Sequence, residues 1–417
     1  MPQTLLTVFE DRQTKLTLTH DQKEDILSFR SIMGDRISLS YDGYLHVRHY
    51  VGFISKGKTR LQILPKVYEN TGFKDEAEQR KSMSIMQNLL RFSEFGKVLE
   101  LPDQSSSAEQ TDIMEFLISI FAAKVLSAYS RQMNREYISI SENSGYIKGR
   151  IDFAANLREN PFRKDLHIVN FQSFEHDNLI NNVIKTVCIR LIRLTNDADN
   201  KKNLKKALIF LDDAQEVFLS NDLFNAARFT RLNMPFKQVF EMAKMFFFNL
   251  APQSYQGNDT ICSFLIPLNK LFEYYLCKLF ETFQDGTSVS YQKMFAFARG
   301  VDNNFDRSIF PDIILYKENR PILIADAKYK NPEYEYKISA YTNISQADIY
   351  QVFVYAKACG VSNVALIYPQ FGNDTPPMKI KAGDSDNKVF ITIGCVDIKN
   401  AAFEEESAKL KKTILKL

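Results

Sequence analysis

Two carboxylates and an amine in one short stretch carry the clearest chemical signal in this sequence. Residues 310–330 read Phe-Pro-Asp-Ile-Ile-Leu-Tyr-Lys-Glu-Asn-Arg-Pro-Ile-Leu-Ile-Ala-Asp-Ala-Lys-Tyr-Lys. Two apolar runs, 313–316 and 322–325, flank a polar break at 317–321, the pattern of a β-hairpin. Asp312 opens the first strand, and Asp326 and Lys328 close the second. Side chains two apart on a strand share a face. A hairpin in register therefore brings Asp312 round to Asp326 and Lys328. Asp/Glu-x-Lys by itself is uninformative, since it recurs at 21–23, 199–201, 335–337, 386–388 and 397–399. Only Asp326-Ala-Lys328 ends a buried-type apolar run after a Pro-Asp. A carboxylate at the end of such a run needs a partner more than a solvated one does.

The chemistry that fits is metal-assisted hydrolysis of a phosphodiester. It requires a positioned water and neutralised phosphoryl oxygens, which a divalent ion on carboxylates supplies. Mg²⁺ (or Mn²⁺) keeps several waters and needs few protein ligands. Asp312 and Asp326 are the expected ligands, with the carbonyl of Ala327 as a third. Lys328 is expected to orient the attacking water or pair with the scissile phosphate. Glu273, on a helix expected at 268–283, adds an acidic group at the edge. Gln346 and Tyr350, one turn apart at the start of a helix over 345–359, are expected to face the site and hold DNA.

The elements that position these groups follow from periodicity. Residues 1–70 are mostly short strands, with turns at Asp42-Gly43 and 56–58 and one helix over 21–29. A small β-barrel or sandwich is expected. Helical spacing dominates 83–92, 113–129, 177–194, 204–218 and 235–250. An extended excursion at 130–144 interrupts it, and 145–152 is expected to return the chain to the body. From 260 the order α-β-β-β-α-β-β predicts an α/β domain, with loop over 371–388 and a charged helix over 401–417. The fold class is α+β and multidomain: a β-rich domain at 1–80, a mainly helical domain at 81–250 with a finger around 130–150, and a nuclease domain at 251–417.

Composition sets the outer limits. The chain has 417 residues, a net charge of +3 and 45% hydrophobic residues, as in globular proteins of two or three domains. So small a charge makes any nucleic-acid surface a local patch. Five scattered cysteines, without metal-ligand spacing, suit a reducing cytoplasm. No apolar run of membrane-spanning length is expected. No phosphate-binding Gly-x-x-x-x-Gly-Lys-Ser/Thr loop occurs, so this chain is not expected to hydrolyse a nucleotide itself. His46 and His49, three apart on a strand, are expected on opposite faces and not as a joint metal site.

Pro311-Asp312, Asp326-Ala-Lys328 and Gln346-x-x-x-Tyr350 together resemble the PD-(D/E)xK nuclease superfamily in its RecB-like form. Further stretches narrow the resemblance to McrC-like nuclease subunits of McrBC-type, GTP-dependent, modification-directed restriction systems. These are Gly-Tyr-Ile-Lys-Gly-Arg-Ile-Asp at 145–152, Phe-Glu-His-Asp-Asn-Leu-Ile-Asn-Asn at 174–182, the helix at 271–279 and Ala-Leu-Ile-Tyr-Pro at 365–369. The resemblance implies double-stranded DNA as substrate and an McrB-like AAA+ GTPase oligomer as partner. It also implies a finger, here 130–144, that docks in the motor and stimulates GTP hydrolysis, with Arg131 and Arg135 as contacts. A GTPase-stimulating adaptor without nuclease activity and a standalone RecB-like repair nuclease are the alternative functions.

Overall fold

The computed structural model describes residues 4–66, 76–93, 96, 98, 111–250, 261–283, 286–299, 306–335, 340–370, 375–384, 387–399 and 402–415. By sequence 102–110 reads as a polar, Ser-rich loop and 251–259 as a linker; both lie outside the described residues. The chain is a mixed α+β, multidomain protein. It divides into two compact units: 114–253 with the first three residues, and 4–113 together with 254–417.

The larger unit contains two sheet systems. In the first, strand Thr4–Phe9 runs parallel to Thr59–Leu64, which pairs antiparallel with Tyr50–Lys56 across the expected turn. Strand Cys262–Pro267 completes this sheet by pairing with Tyr50–Lys56. The backbones approach so closely that a Cβ on Gly52 would stand 1.9 Å from the carbonyl oxygen of Phe264, and Gly52 has φ +122°; only glycine fits there. A three-stranded sheet and the helix His20–Ser28 share the apolar core of Ile26, Phe29, Leu45, Val47, Ile54, Leu61 and Ile63.

The expected boundary at 80/81 falls inside the helix Glu76–Phe92. That helix packs on the C-terminal part: Phe92 stacks on Phe403 at 4.1 Å, and Asn88 donates to the carbonyl of Ile398. Sequence periodicity shows that 262–267 is apolar but not which sheet it joins.

The second system is a six-stranded mixed sheet. Its strands are β1 (Thr287–Tyr291), β2 (Ile313–Lys317), β3 (Arg320–Ala327), β4 (Asn363–Pro369), β5 (Met378–Ala382) and β6 (Val389–Val396), in spatial order β1-β2-β3-β4-β6-β5. The helices are α1 (Leu268–Glu281), α2 (Gln346–Cys359) and α3 (Phe403–Leu415). β3, α2 and β4 make a parallel crossover unit. α2 covers Ile314, Ile324, Val364, Leu366 and Ile391 with Val352, Tyr355 and Ala356. α1 and α3 are joined by the Thr282–Ser407 hydroxyl contact. The strand β5 lies where loop was expected: its alternating Met378, Ile380 and Ala382 pair antiparallel with β6 at the sheet edge. Sequence pattern alone reads 288–297 as one strand; the structure has two, β1 and Phe295–Arg299, the second in a separate pair.

The smaller unit is helical with one sheet. The helix Ile113–Arg131 is long and apolar enough to cross a membrane by length and composition, contrary to the expectation above; 61% of its apolar window is buried inside the protein. Phe121 meets Phe246 of the helix Lys237–Leu250 edge-on at 5.3 Å, as in a soluble core. The finger is larger than expected. Strand Glu136–Ser144 pairs along its whole length with His167–Glu175, and Arg150–Ile151 pairs with the same strand. Residues 145–152 therefore remain within the finger, and the chain leaves it after Glu175.

Two of the stretches that narrow the resemblance, 145–152 and 174–182, have structural roles here. A Cβ on Gly149, at φ +65°, would lie 2.5 Å from the carbonyl oxygen of Asn170. Asp152 caps the helix Phe153–Glu159 by accepting from the Ala155 N–H. Asn178 caps Leu179–Leu194. Buried Asn181 donates to the carbonyls of Asn134 and His176 and accepts from Tyr129 and Asn134. This network ties both ends of the finger to the helical core, where an unpaired polar group is costly.

Candidate nuclease site

The hairpin forms in the expected register. Ile313 faces Ala325 and Ile314 faces Ile324, which sets Asp312 opposite Asp326. Glu318 and Asn319 both take positive φ, 50° and 61°, a two-residue turn whose twist matches the strands. A register shift between Leu315 and Tyr316 absorbs Pro321. The carboxylate of Asp312 accepts the backbone N–H of Ala327 at 2.9 Å, and its own carbonyl accepts from the Gln292 N–H. Ala327 thus contributes its N–H to the ligand it was expected to assist.

Asp326 is buried, and the Lys328 ammonium pairs with its Oδ2 at 2.6 Å. Lys328 also donates to Gln351 Oε1 at 2.8 Å, and the Gln351 amide donates to the Tyr355 hydroxyl at 2.7 Å. Glu273 is buried on α1, where its Oε2 accepts from Lys270, Tyr291 and Gln292. α1 begins directly after Cys262–Pro267, and the Leu268 N–H donates to the His49 carbonyl. The N-terminal sheet thereby anchors the helix that carries Glu273.

Electrostatics mark the cluster. Burial, then Asp326, then Glu273 push the Asp312 carboxyl up to about 7; the Ala327 N–H and Lys328 pull the other way. Burial also raises Asp326, against the opposing pull of Lys328. Burial disfavours the Lys328 ammonium, but the surrounding carboxylates outweigh it and hold the group above its ordinary value. Buried carboxylates pushed up together lack positive charge, which a cation supplies. No three His, Cys, Asp or Glu side chains among the described residues converge into a closed metal cage. Two buried carboxylates, both raised by burial, still suit Mg²⁺, which keeps its waters and draws remaining ligands from substrate.

The helix face differs from the expected one. Gln346 is exposed and Tyr350 is 61% exposed, so neither is drawn into the cluster. Gln351 and Tyr355 take that place with the same four-residue spacing. Val352 and Ala356 form the buried face of α2, with Gln351 and Tyr355 beside them; apolar residues on every side of this helix leave the sequence without a cue to that face. Asp348, also missed, is buried on this helix. It contacts Lys330, approaches Lys328 at 3.9 Å and accepts from the Tyr368 hydroxyl at 3.5 Å. In the other unit, Arg131 ends its helix and Arg135 precedes the first finger strand, both exposed.

A family profile for McrBC 5-methylcytosine restriction system components matches residues 45–369. The chain belongs to that family. Among solved structures, the refined half-complex of the tetradecameric Thermococcus gammatolerans assembly of McrB AAA+ hexamers with bound McrC contains a chain of the same fold. That chain is 19% identical, with TM-score 0.76, over 97% of this chain and 99% of its own length. A chain of the cryo-EM structure of the Thermococcus gammatolerans McrBC complex is 20% identical, with TM-score 0.52, over 68% and 90%. At these identities the likeness is one of fold. None of the curated proteins compared matches the sequence. Membership in the McrBC family makes the acidic cluster part of a restriction-system component.

Proposed function

We propose that this McrBC-family chain is the McrC-like, DNA-cleaving subunit of its restriction system, a Mg²⁺- or Mn²⁺-dependent endonuclease of the PD-(D/E)xK type in residues 251–417. The observation that carries the reading is the meeting of Asp312, Asp326 and Lys328 at one strand end, where the buried Asp326 carboxylate is paired with the Lys328 ammonium at 2.6 Å. Asp312 and Asp326 would hold the ion, and bound there it supplies Lewis-acid stabilisation of phosphoryl charge and an acidified water. Lys328 presents a charged ammonium to the reacting phosphate, aimed by Gln351, which Tyr355 in turn orients. Glu273 fixes Gln292, whose backbone binds Asp312, and so positions the first carboxylate. The site stands at the carboxyl end of a parallel strand, where α/β sheets commonly bind ligands.

The finger supports a partner-binding role. Its sheet exposes Tyr137, the turn after strand Glu136–Ser144 exposes Tyr146 and Ile147, and its helix exposes Phe153 and Leu157, from 61% to 81%. An apolar surface of this kind marks contact with another protein. The partner proposed is the McrB-like AAA+ GTPase oligomer, whose hydrolysis the finger would stimulate, with Arg131 and Arg135 at its base; the substrate is double-stranded DNA in the cytoplasm. Asp326→Ala tests the division of labour. Cleavage of modified plasmid with motor, GTP and Mg²⁺ is expected to disappear, while motor binding and GTPase stimulation persist. Unchanged cleavage would refute the site; loss of motor binding would refute the separation of the two functions.

A further inference from the structure

Lys330 stands apart from the groups already placed. It follows Lys328 by two residues, in a turn where its N–H donates to the Lys328 carbonyl at 2.9 Å. The two ammonium groups have different surroundings. Lys328 is enclosed by Asp326, Gln351 and Asp348, with 19% of its side chain exposed. Lys330 has 38% of its side chain exposed and pairs with one oxygen of Asp348. Asp348 is itself held in place: its backbone N–H donates to Ser345 Oγ, and the fully buried Tyr368 donates to the carboxylate. The result is a solvent-reachable cation on a rigid carboxylate post, beside the strand end where Asp326 and Lys328 lie.

A carboxylate that only neutralised a surface lysine would gain little by being buried. Asp348 instead spans both lysines, Oδ1 toward Lys328 and Oδ2 toward Lys330. It spaces two positive charges along the same edge of the site. Successive phosphates of a DNA strand offer negative charges in just such a row, and lysines meet them as point charges. We propose that Lys330 is a DNA-phosphate ligand, set by Asp348 to take a phosphate neighbouring the one at Lys328. This rests on the nuclease reading of the site but concerns binding. Lys328 acts where the bond breaks; Lys330 holds the strand in register beside it.

The test is binding of a fluorescent 20-base-pair duplex to the full chain in Ca²⁺, over a KCl series, with Mg²⁺-dependent cleavage assayed in the assembled complex. Lys330→Ala is expected to weaken binding about five- to tenfold at moderate salt. It is also expected to lower the slope of log K against log[KCl] by about 1, the signature of one lost phosphate contact. Lys330→Arg should keep both within about twofold. Lys357→Ala removes an exposed lysine from the far end of α2 and should leave the slope unchanged. Cleavage by Lys330→Ala should show a raised KM and a kcat close to that of the parent. An unaltered slope in Lys330→Ala overturns the proposal while leaving the nuclease reading intact. A parent that binds DNA with the full slope yet never cleaves it overturns the nuclease reading and leaves the phosphate contact standing. A parent that does not bind DNA overturns both.

Discussion

Asp312→Asn should stabilise the metal-free protein at alkaline pH while abolishing its response to Mg²⁺. Asp312 faces Asp326 with Glu273 close by, and burial with these carboxylates pushes it up to about 7 from an ordinary 3.8. A rise of that size corresponds to about 4 kcal/mol between the charged and neutral forms. The sign follows from proton linkage. Between about 3.8 and about 7 the folded chain retains a proton that the unfolded chain has lost, so stability falls as pH rises through that window. Below it no penalty exists; above it the whole penalty applies. Because Asp312 and Asp326 titrate together, the share recovered by replacing one is about 2–4 kcal/mol. Asparagine keeps an oxygen for the Ala327 N–H, so the hydrogen bond survives without the charge. The assay is urea unfolding in EDTA at pH 5 and pH 8.5, with thermal shift on adding Mg²⁺. The variant should be the more stable protein at pH 8.5, nearly equal at pH 5, and unresponsive to Mg²⁺. A variant less stable than the parent at pH 8.5, or stabilised equally by Mg²⁺, would refute the reasoning.

Removing the Lys328 acceptor by Gln351→Leu should lower kcat about 10- to 100-fold with little change in stability, as measured by single-turnover cleavage and circular dichroism. Gln346→Ala and Tyr350→Ala, on the exposed side of α2, should leave kcat within about twofold of the parent. Asn181→Ala should destabilise the finger-bearing unit by about 2–4 kcal/mol, since it leaves several buried polar groups unpaired; urea unfolding and proteolysis within 134–178 report it. Gly52→Ala should prevent stable assembly of the N-terminal sheet on strand Cys262–Pro267, because the added carbon meets the Phe264 carbonyl; low soluble yield with early proteolysis is the expected result, and a parent-like melting curve would contradict it.

The finger shows how far periodicity reaches. Alternation at 137–140 marks one strand, but its partner, His167–Glu175, is separated from it by the 22 residues 145–166, and the interposed helix Phe153–Glu159 hides the return. Local patterns also placed most helices within a few residues of their observed ends. They failed at β5, where a Gly- and Pro-rich context masked five alternating residues whose strand state depends on pairing with β6.

By itself, the sequence determined the hairpin and hence the meeting of Asp312, Asp326 and Lys328. Strand alternation and a short turn are local properties, and together they leave one register that buries the apolar runs. Tertiary structure alone decided which face of α2 turns inward, and so replaced Gln346 and Tyr350 by Gln351 and Tyr355. It also decided that the N-terminal sheet takes Cys262–Pro267 as its edge and anchors the helix bearing Glu273. Both choices depend on apolar surfaces contributed by strands elsewhere in the chain, such as Ile314, Ile324 and Ile391 beneath α2. A helix repeats its four-residue spacing on every side, and only the partner surface selects the side that is buried.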